Sequence, residues 1–144
     1  MAKVSVTWQR EDLLLEAEND TGNKIMLDSS ASGVGKNRGA RPLQLLLMGL
    51  AGCTSMDVIS ILKKMREPLE DFHVDVTAEQ ATEHPHVYTD IHVEYVITGD
   101  VKEESVQKAI RLSEERYCSA NAMLRQAATI TSSYRIIRPE PMPA

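Results

Sequence analysis

Alternating apolar and polar residues begin the chain and predict half-buried β-strands. Two such runs precede residue 18: Val4, Val6 and Trp8, then Leu13, Leu15 and Ala17. A short third strand is predicted from Lys24 to Asp28, after the turn signal in residues 18–23. A loop rich in Gly and Ser follows at 29–40 and is expected to be flexible.

One long apolar run then predicts a central helix. Pro42 is tolerated in the first turn of a helix, and Pro68 requires an end before it, so the helix is predicted to reach about Arg66. Residues 43–50 are apolar around most of the helix circumference, so all sides of this part of the helix must be buried. Because packing against a second copy of the chain could bury the remaining side, we expect a homodimer.

The second half of the chain predicts further strands and helices. Strands are predicted at 72–78, 87–97 and 130–137, and helices at 100–117 and 119–128. Asp100 is the predicted cap of the first of these helices, with Glu103 in the capping-box position. The order predicts an α+β fold, with antiparallel strands at both ends of the central helix. A single domain is expected over 1–138, followed by a mobile Pro-rich tail at 139–144.

Composition excludes several classes of function. The 144 residues are enough for one domain with a core, and a net charge of −5 argues against nucleic-acid binding. Two cysteines cannot form a secreted disulfide scaffold. The N-terminus shows no apolar signal segment, and Asp57 interrupts the apolar run, so we expect no membrane span and a cytoplasmic location.

Two cysteines stand in different settings. Cys53 lies within the central helix, and Cys118 lies where one predicted helix ends and the next begins. They could be two unrelated buried residues, since free cysteine is often buried. The segments around them, PLQLLLMGLAGCTSMDVISIL and KAIRLSEERYCSANAML, favour another interpretation. They resemble the two cysteine motifs of the OsmC/Ohr family of osmotically inducible and organic-hydroperoxide-resistance proteins.

That resemblance implies an OsmC-like fold, an intertwined homodimer and thiol-based reduction of organic hydroperoxides. Cys53 would attack the peroxide and become a sulfenic acid, and Cys118 would resolve it as a disulfide that a dithiol reductant reduces. No cofactor or metal is implied. The alternative is a non-catalytic OsmC-like protein that binds a small molecule or senses oxidants through the same thiols.

Activation of Cys53 requires a cation, because burial and the nearby Asp57 both oppose its ionisation. In the family, an Arg supplies this charge. Arg38 is the favoured candidate and Arg10 the second. The family also has a Glu at the helix start that orients the Arg, whereas Leu43 stands here. This departure predicts weaker activation and a substrate that need not be an organic hydroperoxide.

Cys118 is expected at a helix N-terminus, where the helix dipole favours a thiolate, and the nearby Arg116 could add to this effect. The four histidines could suggest a metal site, but His84 and His86 fall in a predicted turn, without fitting Cys or acidic ligands. We therefore predict no metal.

Overall fold

The computed structural model describes residues 1–31 and 33–140. The chain divides into two compact units, Met1–Leu47 and Met48–Ala144. Both units contain three strands, and the boundary between them falls within the long helix α1 (Pro42–Lys64). The predicted α+β class with a long central helix is confirmed.

The first unit is built on an antiparallel meander. Its sheet has the order β1 (Val4–Trp8), β2 (Leu15–Asn19), β3 (Lys24–Leu27). The turn between β2 and β3 is closed by Asn19, whose Oδ1 accepts the backbone N–H groups of Thr21 and Asn23. Such turns arise because a short amide side chain can replace a backbone carbonyl as acceptor.

One face of this sheet is apolar but open. The register places Val6, Ala17 and Ile25 side by side across the three strands. β1 is exposed along its whole length, so the prediction that it is half-buried is wrong for the single chain. The strand alternates as expected, but a sheet face is buried only where a second layer covers it.

The helix α1 buries a narrow stripe. Its buried residues are spaced by four and therefore lie on one face: Leu50, Thr54, Val58 and Leu62. The helix ends two residues before the predicted Arg66, which adopts a left-handed conformation with φ 60°. The Glu67 N–H then reaches back to the Leu62 carbonyl, as in a Schellman C-terminus.

By length and composition alone, α1 could cross a membrane, and 22% of its most apolar window is buried. The core helix of a soluble protein passes the same test.

Several large apolar side chains on α1 are exposed in the single chain: Leu43, Leu46, Met48 and Met56.

The second unit holds the larger sheet, with the order β4 (Leu69–Gln80), β5 (Tyr88–Gly99), β6 (Thr129–Ile137). β4 and β5 are antiparallel as predicted. β6 differs from the predicted antiparallel arrangement and runs parallel to β5, because the intervening helices return the chain before the last strand. The central strand contributes a row of buried residues: Ile91, Val93, Tyr95 and Ile97.

Three helical segments connect β5 to β6. They are α2 (Glu103–Leu112), a π-helical turn (Ser113–Tyr117) and α3 (Ser119–Leu124). The predicted cap at Asp100 is wrong, because α2 begins at Glu103 after Lys102 and has no side-chain cap. Asp100 instead accepts a hydrogen bond from Arg138. Of the predicted tail, residues 141–144 lie outside the described residues.

Candidate functional site

Two residues of the site are one helical turn apart on α1. Cys53 and Asp57 both lie beside the buried stripe of the helix and are half-buried. A separation of four residues places two side chains on the same face. The carboxylate therefore faces the same way as the thiol.

Cys118 is brought to this face by the π-helical turn. Its backbone N–H donates to the Ser113 carbonyl at 2.7 Å, the five-residue spacing of a π-helix. Cys118 then serves as the N-cap of α3, where its Sγ accepts the backbone N–H of Asn121 at 3.4 Å. The Cys118 side chain is fixed in place and only 3% of the residue is exposed.

The three side chains form one cluster. The Sγ atoms of Cys53 and Cys118 and a carboxylate oxygen of Asp57 all lie within 4.8 Å of one another. Both cysteines are free thiols. The two sulfurs that sequence motifs singled out are thus neighbours, and a small movement would suffice to join them.

The pKa of the Cys118 thiol is raised to about 11. Burial is the main cause, and the hydrogen bond from Asn121 opposes it. Cys53 and Asp57 raise the pKa of Cys118 further. The prediction that the helix N-terminus favours a thiolate is wrong here, because α3 has only six residues and the cost of burying charge exceeds its effect.

A chain of hydroxyl groups extends from Asp57 into the core. Ser113 donates to Asp57 Oδ2 at 2.9 Å, and Tyr95 donates to Glu114 Oε1 at 3.1 Å. Thr54 Oγ1 lies between them, 2.9 Å from Ser113 Oγ and 2.7 Å from Tyr95 Oη. Burial raises the pKa of Tyr95, so the phenol keeps its proton.

This chain has four contacts but only three hydroxyl protons. Since an ionised carboxylate only accepts, Ser113 and Tyr95 each give their proton to a chain end. Thr54 can then serve only one of its two contacts. The chain thus connects Asp57 to the buried Tyr95 through the hydroxyl groups of Ser113 and Thr54.

Arg38 lies in a cluster of acidic residues within the first unit. Its guanidinium is 2.9 Å from Glu11, 3.3 Å from Asp12 and 3.5 Å from Asp28. Three carboxylates thus hold the guanidinium in place, whereas the resemblance implies that a Glu at the helix start would orient such an arginine. Leu43, at that position, is exposed and apolar.

Asp28 is a structural residue that the sequence did not reveal. Its carboxylate accepts backbone N–H groups of Ser29, Lys36 and Arg38 and is buried. These bonds, that of Arg38 first, lower the pKa of Asp28. The loop expected to be flexible is therefore organised around one acid. An Asp directly after a strand and before a Gly-rich loop was the available signal.

Arg10 adopts a left-handed conformation, with φ 62°, in the turn after β1. Within residues 1–31 and 33–140 it forms no ion pair. Two of the histidines have polar side-chain partners: His73 pairs with Asp75, and His92 contacts Thr131 and Ser133. In the described part of the chain the one group able to hold a metal is Cys53, Asp57 and Cys118.

Comparison with known proteins agrees with this geometry. The family model described as "OsmC-like protein" matches residues 35–133. Protein YhfA of Escherichia coli (strain K12) is 35% identical over 128 residues, covering 88% of this chain and 92% of that protein.

Solved structures show the same fold. A hypothetical protein from Aquifex aeolicus VF5 has a TM-score of 0.84 at 28% identity, with 97% of this chain and 98% of that chain covered. An organic hydroperoxide resistance protein OsmC from Legionella pneumophila has a TM-score of 0.70 at 16% identity, with 93% and 96% covered.

Proposed function

The chain belongs to the OsmC-like protein family, and from this premise we propose that it is a dimeric two-cysteine peroxidase acting on organic hydroperoxides. One observation carries the proposal. Two free thiols lie within 4.8 Å of each other, one half-buried and the other buried. Such a pair can form a disulfide after the outer sulfur has been oxidised.

The difference between the two thiols assigns their roles. Cys118 is buried and, with its pKa raised to about 11, is a neutral thiol near pH 7. Only a thiolate attacks a peroxide efficiently, so the more accessible Cys53 is the primary nucleophile. In this step the S–O bond forms and the O–O bond breaks. The products are Cys53 sulfenic acid and an alkoxide, which takes up a proton to become the alcohol.

The second step joins the sulfurs. The Cys118 sulfur attacks the sulfenic sulfur, and hydroxide leaves as the S–S bond forms. The Cys118 thiol must lose its proton, and the hydroxide must gain one to become water. A carboxylate oxygen of Asp57 lies within 4.8 Å of both sulfurs. We assign Asp57 as the group that carries this proton, supported by the hydroxyl chain behind it.

Regeneration requires an external reductant. A dithiol would reduce the disulfide between Cys53 and Cys118 in two exchange steps. A reducing compartment keeps such dithiols available, so we place the protein in the cytoplasm. Arg38 is our candidate for the cation that stabilises the Cys53 thiolate, and Arg10 is the second.

Dimerisation is part of the proposal. OsmC/Ohr proteins are commonly dimers. Large apolar side chains are exposed on two elements of this chain: Leu46, Met48 and Met56 on α1, and Val4, Val6 and Trp8 on β1. A monomer rarely leaves such surfaces open, so a second copy of the chain is the expected cover.

Steady-state peroxide consumption tests this function. Cumene hydroperoxide and hydrogen peroxide are each supplied to the reduced protein with a dithiol reductant. We expect faster consumption of cumene hydroperoxide, because the helix around Cys53 is apolar. Consumption of neither peroxide above the rate of the Cys53→Ser variant would reject the proposal.

One observation favours the alternative of a small-molecule binder. Within the first unit a largely apolar pocket of about 240 Å³ is lined by Trp8, Leu13, Leu15, Leu27, Asp28, Ser29 and Pro42. A pocket of this kind suits a small apolar ligand. Quenching of Trp8, the single tryptophan of the chain, by added ligands in the Cys53→Ser variant would test binding without chemistry.

A further inference from the structure

The cluster of Cys53, Asp57 and Cys118 has the composition of a metal site. Each residue offers one donor atom, two of sulfur and one of oxygen, within 4.8 Å of the others. Thiolates and carboxylates together are ligands of Zn²⁺. The pattern was hidden in the sequence, because Cys118 is distant from the other two residues along the chain.

The distances suit such an ion. Zn–S bonds of about 2.3 Å and Zn–O bonds of about 2.0–2.2 Å place tetrahedral ligands about 3.5–3.8 Å apart. With all separations within 4.8 Å, a contraction of about 1 Å would complete three ligands. A water molecule would take the fourth position, as in zinc sites with an open coordination place.

Neighbouring groups already orient two of the ligands. Ser113 donates to the Asp57 carboxylate at 2.9 Å, and the Asn121 backbone N–H donates to Cys118 Sγ at 3.4 Å. Hydrogen bonds of this kind fix the orientation of metal ligands. They distinguish the cluster from acidic side chains that meet by chance on a surface.

The charges of the cluster also call for a cation. Three acidic donors, two thiols and one carboxyl group, meet within 4.8 Å. In the described part of the chain Asp57 forms no ion pair with Lys or Arg. A divalent ion would neutralise the negative charges of all three donors together.

We propose that the reduced protein binds one Zn²⁺ ion per chain through Cys53, Asp57 and Cys118. Binding of Zn²⁺ does not require peroxide reduction, although both use the same sulfurs. Ion and peroxide compete for Cys53. Oxidation of the two thiols to a disulfide removes both sulfur ligands and releases the ion.

Metal binding to the full chain tests the site. The reduced protein is treated with chelator, loaded with Zn²⁺, freed of excess metal by gel filtration and analysed for zinc. We expect one equivalent in the wild type and none after oxidation with diamide. Cys53→Ser and Cys118→Ser should weaken binding about 100-fold, and Asp57→Asn about tenfold, as for the loss of a metal ligand or its support.

Co²⁺ gives a direct readout of the sulfur ligands. A sulfur-to-metal charge-transfer band should appear on loading the wild type and be lost in either cysteine variant. Asp75→Asn, which changes an exposed carboxylate on β4, is the matched control and should bind like the wild type.

Three results would overturn the proposal: less than half an equivalent of zinc in the reduced wild type, unchanged binding after diamide, or unchanged affinity and cobalt spectrum in Asp57→Asn. The diamide arm needs no mutation, so a variant that fails to fold does not leave the question open. Peroxidase activity enters none of these measurements, so either proposal can fail alone.

Discussion

A carboxylate oxygen of Asp57 lies within 4.8 Å of the sulfur of Cys118, although α1 and the N-cap of α3 supply the two residues. The contact arises because α1 turns one face towards the π-helical segment that precedes Cys118. It places a proton acceptor beside a thiol whose pKa is raised to about 11. Asp57 thus belongs both to the buried hydrogen-bond chain through Ser113 and to the cluster that contains the two thiols.

The first prediction concerns proton transfer by Asp57. Asp57→Asn should slow disulfide formation about 100-fold, the usual scale of a general acid or base. Formation of the Cys53 sulfenic acid should not be slowed, because removal of a negative charge does not oppose the thiolate. Rapid mixing with one equivalent of peroxide, followed by trapping with dimedone, measures both steps. Asp75→Asn is the control. Equal rates of disulfide formation in Asp57→Asn and Asp75→Asn would exclude proton transfer by Asp57.

The second prediction concerns the hydroxyl chain. Thr54→Val keeps the shape of the side chain but leaves Tyr95 and Ser113 without their central partner. The free energy of unfolding in urea should fall by about 1–3 kcal/mol, the cost of losing buried hydrogen bonds. Thr54→Ser retains the hydroxyl and should lose less. A Thr54→Val variant as stable as the wild type would show that the chain adds nothing to stability.

The third prediction follows from the pKa of Cys118, which is raised from 9.0 to about 11. Between these values the unfolded chain loses the thiol proton while the folded protein keeps it. The unfolded state then binds fewer protons, so stability falls as pH rises. The contribution of the protonated Cys118 thiol to the free energy of unfolding is fully present below about pH 9 and is lost by about pH 11.

Urea unfolding at several pH values, with metal-free protein, measures this effect. Cys118→Ala should show a shallower decline between pH 9 and 11 than the wild type. The difference between the two proteins isolates Cys118 from Tyr95, whose pKa is also raised. Identical slopes would mean that the Cys118 thiol ionises as it does in the unfolded chain.

Much of the secondary structure could be predicted from local sequence patterns. The alternation of apolar and polar residues, together with Pro42 and Pro68, locates strands β1 to β6 and helix α1 to within a few residues. They do not show which faces are covered, and so β1 is exposed where half-burial was predicted. Coverage depends on contacts between distant elements or between chains, which no local pattern contains.

The site was predictable only in part. The four-residue spacing of Cys53 and Asp57 indicates one helical face, and the motifs single out Cys118. The environment of Cys118 depends on a π-helical turn, for which the sequence SEERY gives no signal. The buried chain through Thr54, Tyr95 and Ser113 joins three separate elements and appears only in the folded protein.

The fourth prediction compares the two candidate arginines. Arg38→Ala should slow sulfenic acid formation at Cys53 about tenfold, since about 1.4 kcal/mol of lost charge stabilisation corresponds to that factor. Arg10→Ala tests the second candidate and should react like the wild type. Urea unfolding separates a chemical effect from disruption of the Asp28 loop. If only Arg10→Ala slowed sulfenic acid formation, Arg10 and not Arg38 would be the residue that stabilises the Cys53 thiolate.

Mass spectrometry after a single turnover tests the central claim most directly. The reduced wild type and its Cys53→Ser and Cys118→Ser variants each receive one equivalent of cumene hydroperoxide without reductant. The wild type should contain a disulfide between Cys53 and Cys118, Cys118→Ser should retain a dimedone-reactive sulfenic acid on Cys53, and Cys53→Ser should stay unmodified. Peroxide consumption by Cys53→Ser, or a wild type that keeps both thiols, would contradict the two-cysteine mechanism.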